Sequence, residues 1–145
     1  MFPRLKIKLC NGWSPVENGA GPATYVKGDS CIHFSQTKYK GDLSQVDAQK
    51  HIDICEGLTR KIRGRRDLMS GSGGCKLGQF GTVVAKGDEP AYTQVWVLSK
   101  GNDFVLITHI CNHEPSQAEV DEARVIALGT TLGPPETAGS KPSVP

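Results

Sequence analysis

Two pairs of side chains able to ligate metal stand at alternate positions, Cys31-x-His33 and His109-x-Cys111. Alternate residues of an extended strand share one face, so each pair could offer a thiolate and an imidazole to the same ion. Facing each other, Cys31, His33, His109 and Cys111 would complete a tetrahedral Cys₂His₂ zinc site. His113 stands about 13 Å beyond His109 along an extended strand, too far to join it. The competing explanation is packing. His109 and Cys111 continue the face of Val105 and Ile107, and a buried thiol behaves as a small hydrophobe. The expectation is therefore no bound metal and no cofactor. A small metal-binding or enzymatic domain using Cys31/His33 and His109/Cys111 is the alternative.

Nucleophilic catalysis finds little support. A thiol becomes a thiolate at neutral pH when an imidazole or a helix N-terminus stands beside it. Cys75 lies in a glycine-rich stretch with no histidine near it in sequence, and no Gly-x-Ser-x-Gly occurs. The segment Gly71-Ser72-Gly73-Gly74-Cys75-Lys76-Leu77-Gly78 lacks the Gly-Lys-Ser/Thr ending of a phosphate loop and precedes a strand pattern rather than a helix. It predicts a flexible connector, not a nucleotide site, and the chain is not expected to be an enzyme.

The densest charge feature is Arg60, Lys61, Arg63, Arg65 and Arg66, five cations within seven residues. At the end of a helix such a run complements the dipole. It could also steer an acidic partner. No aromatic residue is interleaved with it, so unstacked bases would have no platform, and nucleic acid is not the expected partner. These five residues are the candidate partner-binding site, directed at an acidic protein surface. Trp13 and Trp96 are expected to be core anchors.

The elements that must position these groups follow from periodicity. Residues 4–10 alternate Lys6 and Lys8 against Leu5, Ile7 and Leu9, the pattern of a half-buried strand. Residues 18–22 predict a loop. Residues 23–27 and 30–36 predict a hairpin about Gly28-Asp29. A helix is expected with Ser44 as cap and Asp47 near its positive end. Ala48, Ile52, Cys55, Leu58 and Ile62 recur along it at helical spacing, and Gly64 ends it. An antiparallel meander follows over 77–85, 92–99 and 104–111, and its last strand, apolar on both faces, should be central. Ser116-Gln117-Ala118-Glu119 is a capping box opening a second helix, with Val120, Ala123, Ile126 and Ala127 as its packing stripe and Gly129 as its stop.

This order of elements resembles the PsbP-like α/β/α sandwich, a group that includes the oxygen-evolving-complex protein PsbP, Ran-binding Mog-type proteins, DcrB-like lipoproteins and small bacterial chaperones of secreted toxins. Gly78-Gln79-Phe80-Gly81, Gln94-Val95-Trp96-Val97-Leu98-Ser99 and Asp103-Phe104-Val105-Leu106-Ile107-Thr108 are similar to the central meander of such domains. Glu119-Val120-Asp121-Glu122-Ala123 is similar to their closing helix. The resemblance implies an α+β fold, a mainly antiparallel sheet with a helix on each face. It also implies a non-catalytic accessory, adaptor or chaperone-like binding role, of the kind bacterial accessory proteins fill, without naming a ligand.

Composition agrees. The chain has 145 residues, and 17 Lys+Arg against 15 Asp+Glu leave a net charge of +2. That balance excludes a protein whose whole surface is built for nucleic acid or anionic membrane. One α+β domain is expected over 4–132, with a disordered proline-rich tail over 133–145. No stretch reaches the length of a membrane span. Lys6 and Lys8 interrupt the only candidate for an apolar leader. The five cysteines are odd in number, and no Cys-x-x-Cys occurs. A cytoplasmic protein with free thiols is expected, a processed exported form being the alternative. Composition says nothing of oligomeric state.

Overall fold

The computed structural model describes residues 3–16 and 23–134. The loop expected over 18–22 and the tail beyond residue 134 lie outside the described residues. Seven strands form one antiparallel sheet in the order β2-β3-β4-β8-β7-β6-β5, and β1 (Arg4–Lys6) pairs with β9 (Thr131–Gly133) in a separate two-stranded ribbon. The other strands are β2 (Ser14–Pro15), β3 (Ala23–Lys27), β4 (Ser30–Lys38), β5 (Arg66–Gly74), β6 (Gln79–Lys86), β7 (Tyr92–Lys100) and β8 (Asp103–Cys111). The helices are α1 (Ala48–Leu58) and α2 (Gln117–Leu128). No described helix is long and apolar enough to cross a membrane.

The β8 strand is the middle strand of the seven, as its two-sided apolar pattern requires. Its odd residues Val105 and Ile107 join Ile32, Phe34, Trp96 and Leu98 in a core closed by Ala123, Ile126 and Ala127 of α2. Its even residue Phe104 joins Val83, Val95, Val97 and Cys55 of α1 in a second core on the other face. The side-chain period of two thus divides one sheet into two apolar layers, each covered by one helix. Trp96 is buried as expected, and Trp13 packs half-buried at the margin of the α2 core.

Several local expectations hold. Gly28, at φ 60°, makes the β3–β4 turn that a Cβ would strain. The capping box at Ser116 and Glu119 is formed on both sides, and Gly129 caps the other end of α2.

Others need correction. Ser44 does not cap the first helix. It sits within a single 3₁₀ turn, Leu43–Gln45, and Asp47 caps α1 by accepting from the Lys50 N–H. The helix ends at Leu58, not at Gly64, so the basic run lies beyond the helix and into the start of β5. The buried stripe of α1 is His51 and Cys55, while Leu58 is exposed. His51 is held because both ring nitrogens find partners, the Asp47 carbonyl oxygen and the Ser99 hydroxyl, each at 2.7 Å. The glycine-rich stretch is no connector either: Ser70-Gly71-Ser72-Gly73-Gly74 is the second half of β5, pairing in register with β6. A neighbouring strand supplies the hydrogen bonds, so tertiary pairing overrides poor local propensity. Gly133, assigned by sequence to the tail, pairs with Arg4.

Candidate functional site

The register of β4 against β8 decides the metal question. Ile32 stands opposite His109, and Ser30 opposite Cys111. His109 and Cys111 therefore share the α2 face with Ile32 and Phe34, while Cys31 and His33 stand opposite Ile110 and Thr108 on the other face. The four ligands cannot meet through a sheet, and the Cys31/His33–His109/Cys111 site is not formed. No cluster of three or more His, Cys, Asp or Glu suited to a metal occurs among the described residues. His33 instead bonds the Thr24 hydroxyl at 2.7 Å.

His109 and Cys111 do form a pair of their own. A hollow of about 160 Å³ opens between β8, the β3–β4 turn and the first turns of α2, lined by Trp13, Lys27, Ser30, His109, Glu119 and Glu122. Ala118 of α2 also lines it. Behind it, Cys111 Sγ lies 3.3 Å from His109 Nε2 and 3.2 Å from the Ser30 hydroxyl. Burial governs both groups. It pushes the Cys111 thiol up and holds His109 down at about 4, so at neutral pH the pair is thiol and imidazole rather than thiolate and imidazolium. His109 Nδ1 is buried with no hydrogen-bond partner among the described residues.

The rim of the hollow is a set of satisfied polar contacts. Trp13 Nε1 donates to Glu122 at 2.6 Å and Lys27 Nζ to the same oxygen at 2.8 Å, and their bonds hold the Glu122 carboxyl below its usual range. His113 bridges Asp29 at 2.6 Å and Glu119 at 3.0 Å, tying the β3–β4 turn to the start of α2. Those two carboxylates raise the affinity of His113 for its proton. Sequence singled out none of Trp13, Lys27 and Glu122 as partners, because they meet from three separate segments.

The basic run is divided rather than presented whole. Arg60 and Arg65 both bind Glu56, at 2.8 and 2.7 Å, and Arg65 also donates to Thr59. These bonds, Arg60 first, hold the Glu56 carboxyl below its ordinary range. Arg66 reaches Asp88 at 3.3 Å. Lys61 and Arg63 make no ion pair among the described residues and, with Asp88 and Glu89, line an open recess of about 450 Å³. One backbone hydrogen bond ties this corner together: the Asp88 N–H donates to the Arg63 carbonyl at 2.9 Å.

Beside this corner runs the β5 edge, with Leu68 and Met69 exposed at 42% and 67%. A groove of about 200 Å³ lies between α1 and β5, lined by Ile52, Asp53, Glu56, Leu68, Met69 and Val83 among others. Composition hid this strand. The strand is held by its pairing with Gln79–Lys86 across a short turn.

No family model matches the chain, and no curated protein matches it. Solved structures do. LpqN of Mycobacterium tuberculosis, described as involved in cell envelope biogenesis, superposes with a TM-score of 0.62 over 91% of this chain and 84% of that one, at 16% identity. CyanoP, the cyanobacterial PsbP of Synechocystis sp. PCC 6803, superposes with a TM-score of 0.54 over 91% of this chain and 94% of that one, at 11% identity. The fold is PsbP-like. At these identities the likeness extends to architecture alone. Within this PsbP-like sandwich the hollow lies on the α2 face, and the divided basic run and the β5 edge lie on the α1 side, where α1 packs on β5, β6 and β7.

Proposed function

We propose that this chain is a non-catalytic protein-binding module, accessory or chaperone-like, that recognises an acidic partner surface at the corner formed by Arg60, Lys61, Arg63, Arg65 and Arg66. The observation that carries it is the division of the run. Glu56 and Asp88 engage Arg60, Arg65 and Arg66, whereas Lys61 and Arg63 stand exposed at a recess they share with Asp88 and Glu89. Exposed cations with no ion pair among the described residues steer encounter with an opposite charge and are screened by salt. The neutral state of His109 and Cys111 supports the non-catalytic part, since a thiol nucleophile needs the opposite ionisation. The accessory part is supported by the PsbP-like architecture shared with CyanoP and with LpqN.

The test is association kinetics. The full chain, immobilised, is offered its native lysate at low salt, and the retained proteins are purified. Against a retained acidic protein, the double variant Lys61→Glu/Arg63→Glu should associate about tenfold more slowly, with the difference shrinking at high salt. An unchanged association rate overturns the assignment.

A further inference from the structure

On the α2 side of the sheet, away from the basic corner, the hollow beside β8 leaves polar valences unused. His109 lines it and is fully buried, and its Nδ1 has no hydrogen-bond partner among the described residues. A buried polar atom in that state is costly and calls for an explanation. Neither of the other two hollows is lined by His109. At the rim, Glu122 Oε1 receives both Trp13 Nε1 and Lys27 Nζ, so Glu122 Oε2 has no partner among the described residues. Lys27 Nζ spends two of its three N–H donors, one on Glu122 and one on the Asn11 carbonyl.

We propose that this hollow binds a small neutral polyol, one hydroxyl of which reaches His109 Nδ1 while a neighbouring hydroxyl bonds Glu122 Oε2 and Lys27 Nζ. The site goes beyond the partner-binding reading and does not depend on it. A hydroxyl is the group that suits Nδ1 in either tautomer. Ser30, Cys111 and His109 Nε2 form a chain with contacts of 3.2 and 3.3 Å. If the Cys111 thiol donates to Nε2, the neutral ring carries its proton on Nδ1 and needs an acceptor there. If Nε2 donates to the sulfur, Nδ1 offers a lone pair and needs a donor. A hydroxyl is both. Charge selects against ions. An anion would meet Glu119 and Glu122, and a cation would meet Lys27. Those charges are already matched, Lys27 with Glu122 at 2.8 Å and Glu119 with His113 at 3.0 Å.

Size and entry follow from the walls. At ~30 Å³ per water in the liquid, about 160 Å³ is the share of about five waters, the scale of a molecule such as glycerol. No surface of His109 is exposed, so the ring must be uncovered for a hydroxyl to reach it. Trp13 is the wall that yields. It is half-buried, stands edge-on to His109 with ring centroids 6.3 Å apart, and belongs to the stretch between β1 and β2 rather than to a strand. Its indole also gives the C–H groups of a polyol an apolar surface.

The experiment uses the full chain at pH 7 with ¹⁵N in its histidine rings and tryptophan indoles. Glycerol is one probe and methyl β-D-glucopyranoside the other. A polyol in the hollow should shift the His109 Nδ1 and Trp13 Nε1 signals saturably. Binding of glycerol alone marks a free small polyol as the ligand, and binding of the glucoside marks a sugar unit; either supports the proposal. Ethylene glycol dimethyl ether, with as many heavy atoms as glycerol and no hydroxyl, should bind at least tenfold more weakly. So should acetate and ethylammonium. Ala118→Leu, which fills the hollow and changes no polar group, should weaken binding at least tenfold. His109→Phe, which removes Nδ1, should do the same and keeps the test sharp if Ala118→Leu does not fold. Absence of a saturable shift at His109 Nδ1, an equal response to the ether, or full affinity in His109→Phe overturns the proposal. A shift of Trp13 Nε1 alone overturns it too, by leaving the polyol on the rim.

Discussion

Cys111 Sγ lies 3.3 Å from His109 Nε2, within reach of a catalytic dyad, yet the environment makes the two a neutral pair. In a dyad the imidazolium would stabilise the thiolate. Here both residues are fully buried on the α2 face of β8, and desolvation opposes the charged form of each. Proximity is present and ionisation is not.

Thiol reactivity follows from this. Burial pushes the Cys55 thiol up to about 12 and raises Cys111 as well. Both should resist iodoacetamide at pH 7.5 in the folded protein and react once denaturant is added. The half-exposed Cys10 and Cys75 should react first. Peptide mapping of the alkylated sites reads the order, and rapid labelling of Cys111 would show a thiolate.

Acid should destabilise the fold through His109. Its pKa falls from 6.5 to about 4 on folding, so between those values the unfolded chain binds a proton that the folded chain refuses. Stability is then full above pH 6.5 and declines as pH falls toward 4, by about 2 kcal/mol between pH 7 and pH 5. In His109→Phe that portion of the slope should vanish, and the unpartnered Nδ1 vanishes with it. Urea unfolding at pH 7 and pH 5 checks both chains.

His113 works in the opposite sense. Hydrogen bonds to Asp29 and Glu119 raise its pKa, so its contribution is complete below pH 6.5 and is lost as pH rises through the folded-state value. Asp29→Asn should lower the His113 pKa toward 6.5 and loosen the β3–β4 turn from α2. A titration of the His113 ring resonances in the two chains measures the shift. An identical pKa in both would remove Asp29 from the account.

Gly81→Ala should destabilise the protein by about 2 kcal/mol, the usual cost of overpacking. A Cβ at Gly81 would stand 2.5 Å from His51 Cβ and 2.8 Å from the His51 and Ile52 backbone, so α1 would have to lift from β6. Thermal unfolding measures the loss. Near-ultraviolet circular dichroism should register disturbed packing around Phe104, which stacks on His51 at 5.7 Å between ring centres.

Local chemistry in the chain determined a good part of this architecture. The period-two pattern of 104–111, the Gly28 turn and the Ser116/Glu119 capping box each act over a few residues, and each formed as read. The α+β layout with β8 at its centre follows from them. Only the tertiary structure decided which groups meet. Cys31 and His33 parted from His109 and Cys111 because a strand's register against its neighbour sets the face, and register is a property of two strands. The Ser/Gly stretch became an edge because β6 supplied its hydrogen bonds. Arg60 meets Glu56 at the i,i+4 spacing that sequence shows, whereas Arg65 and Arg66 reach Glu56 and Asp88 across folded distances that linear spacing does not encode.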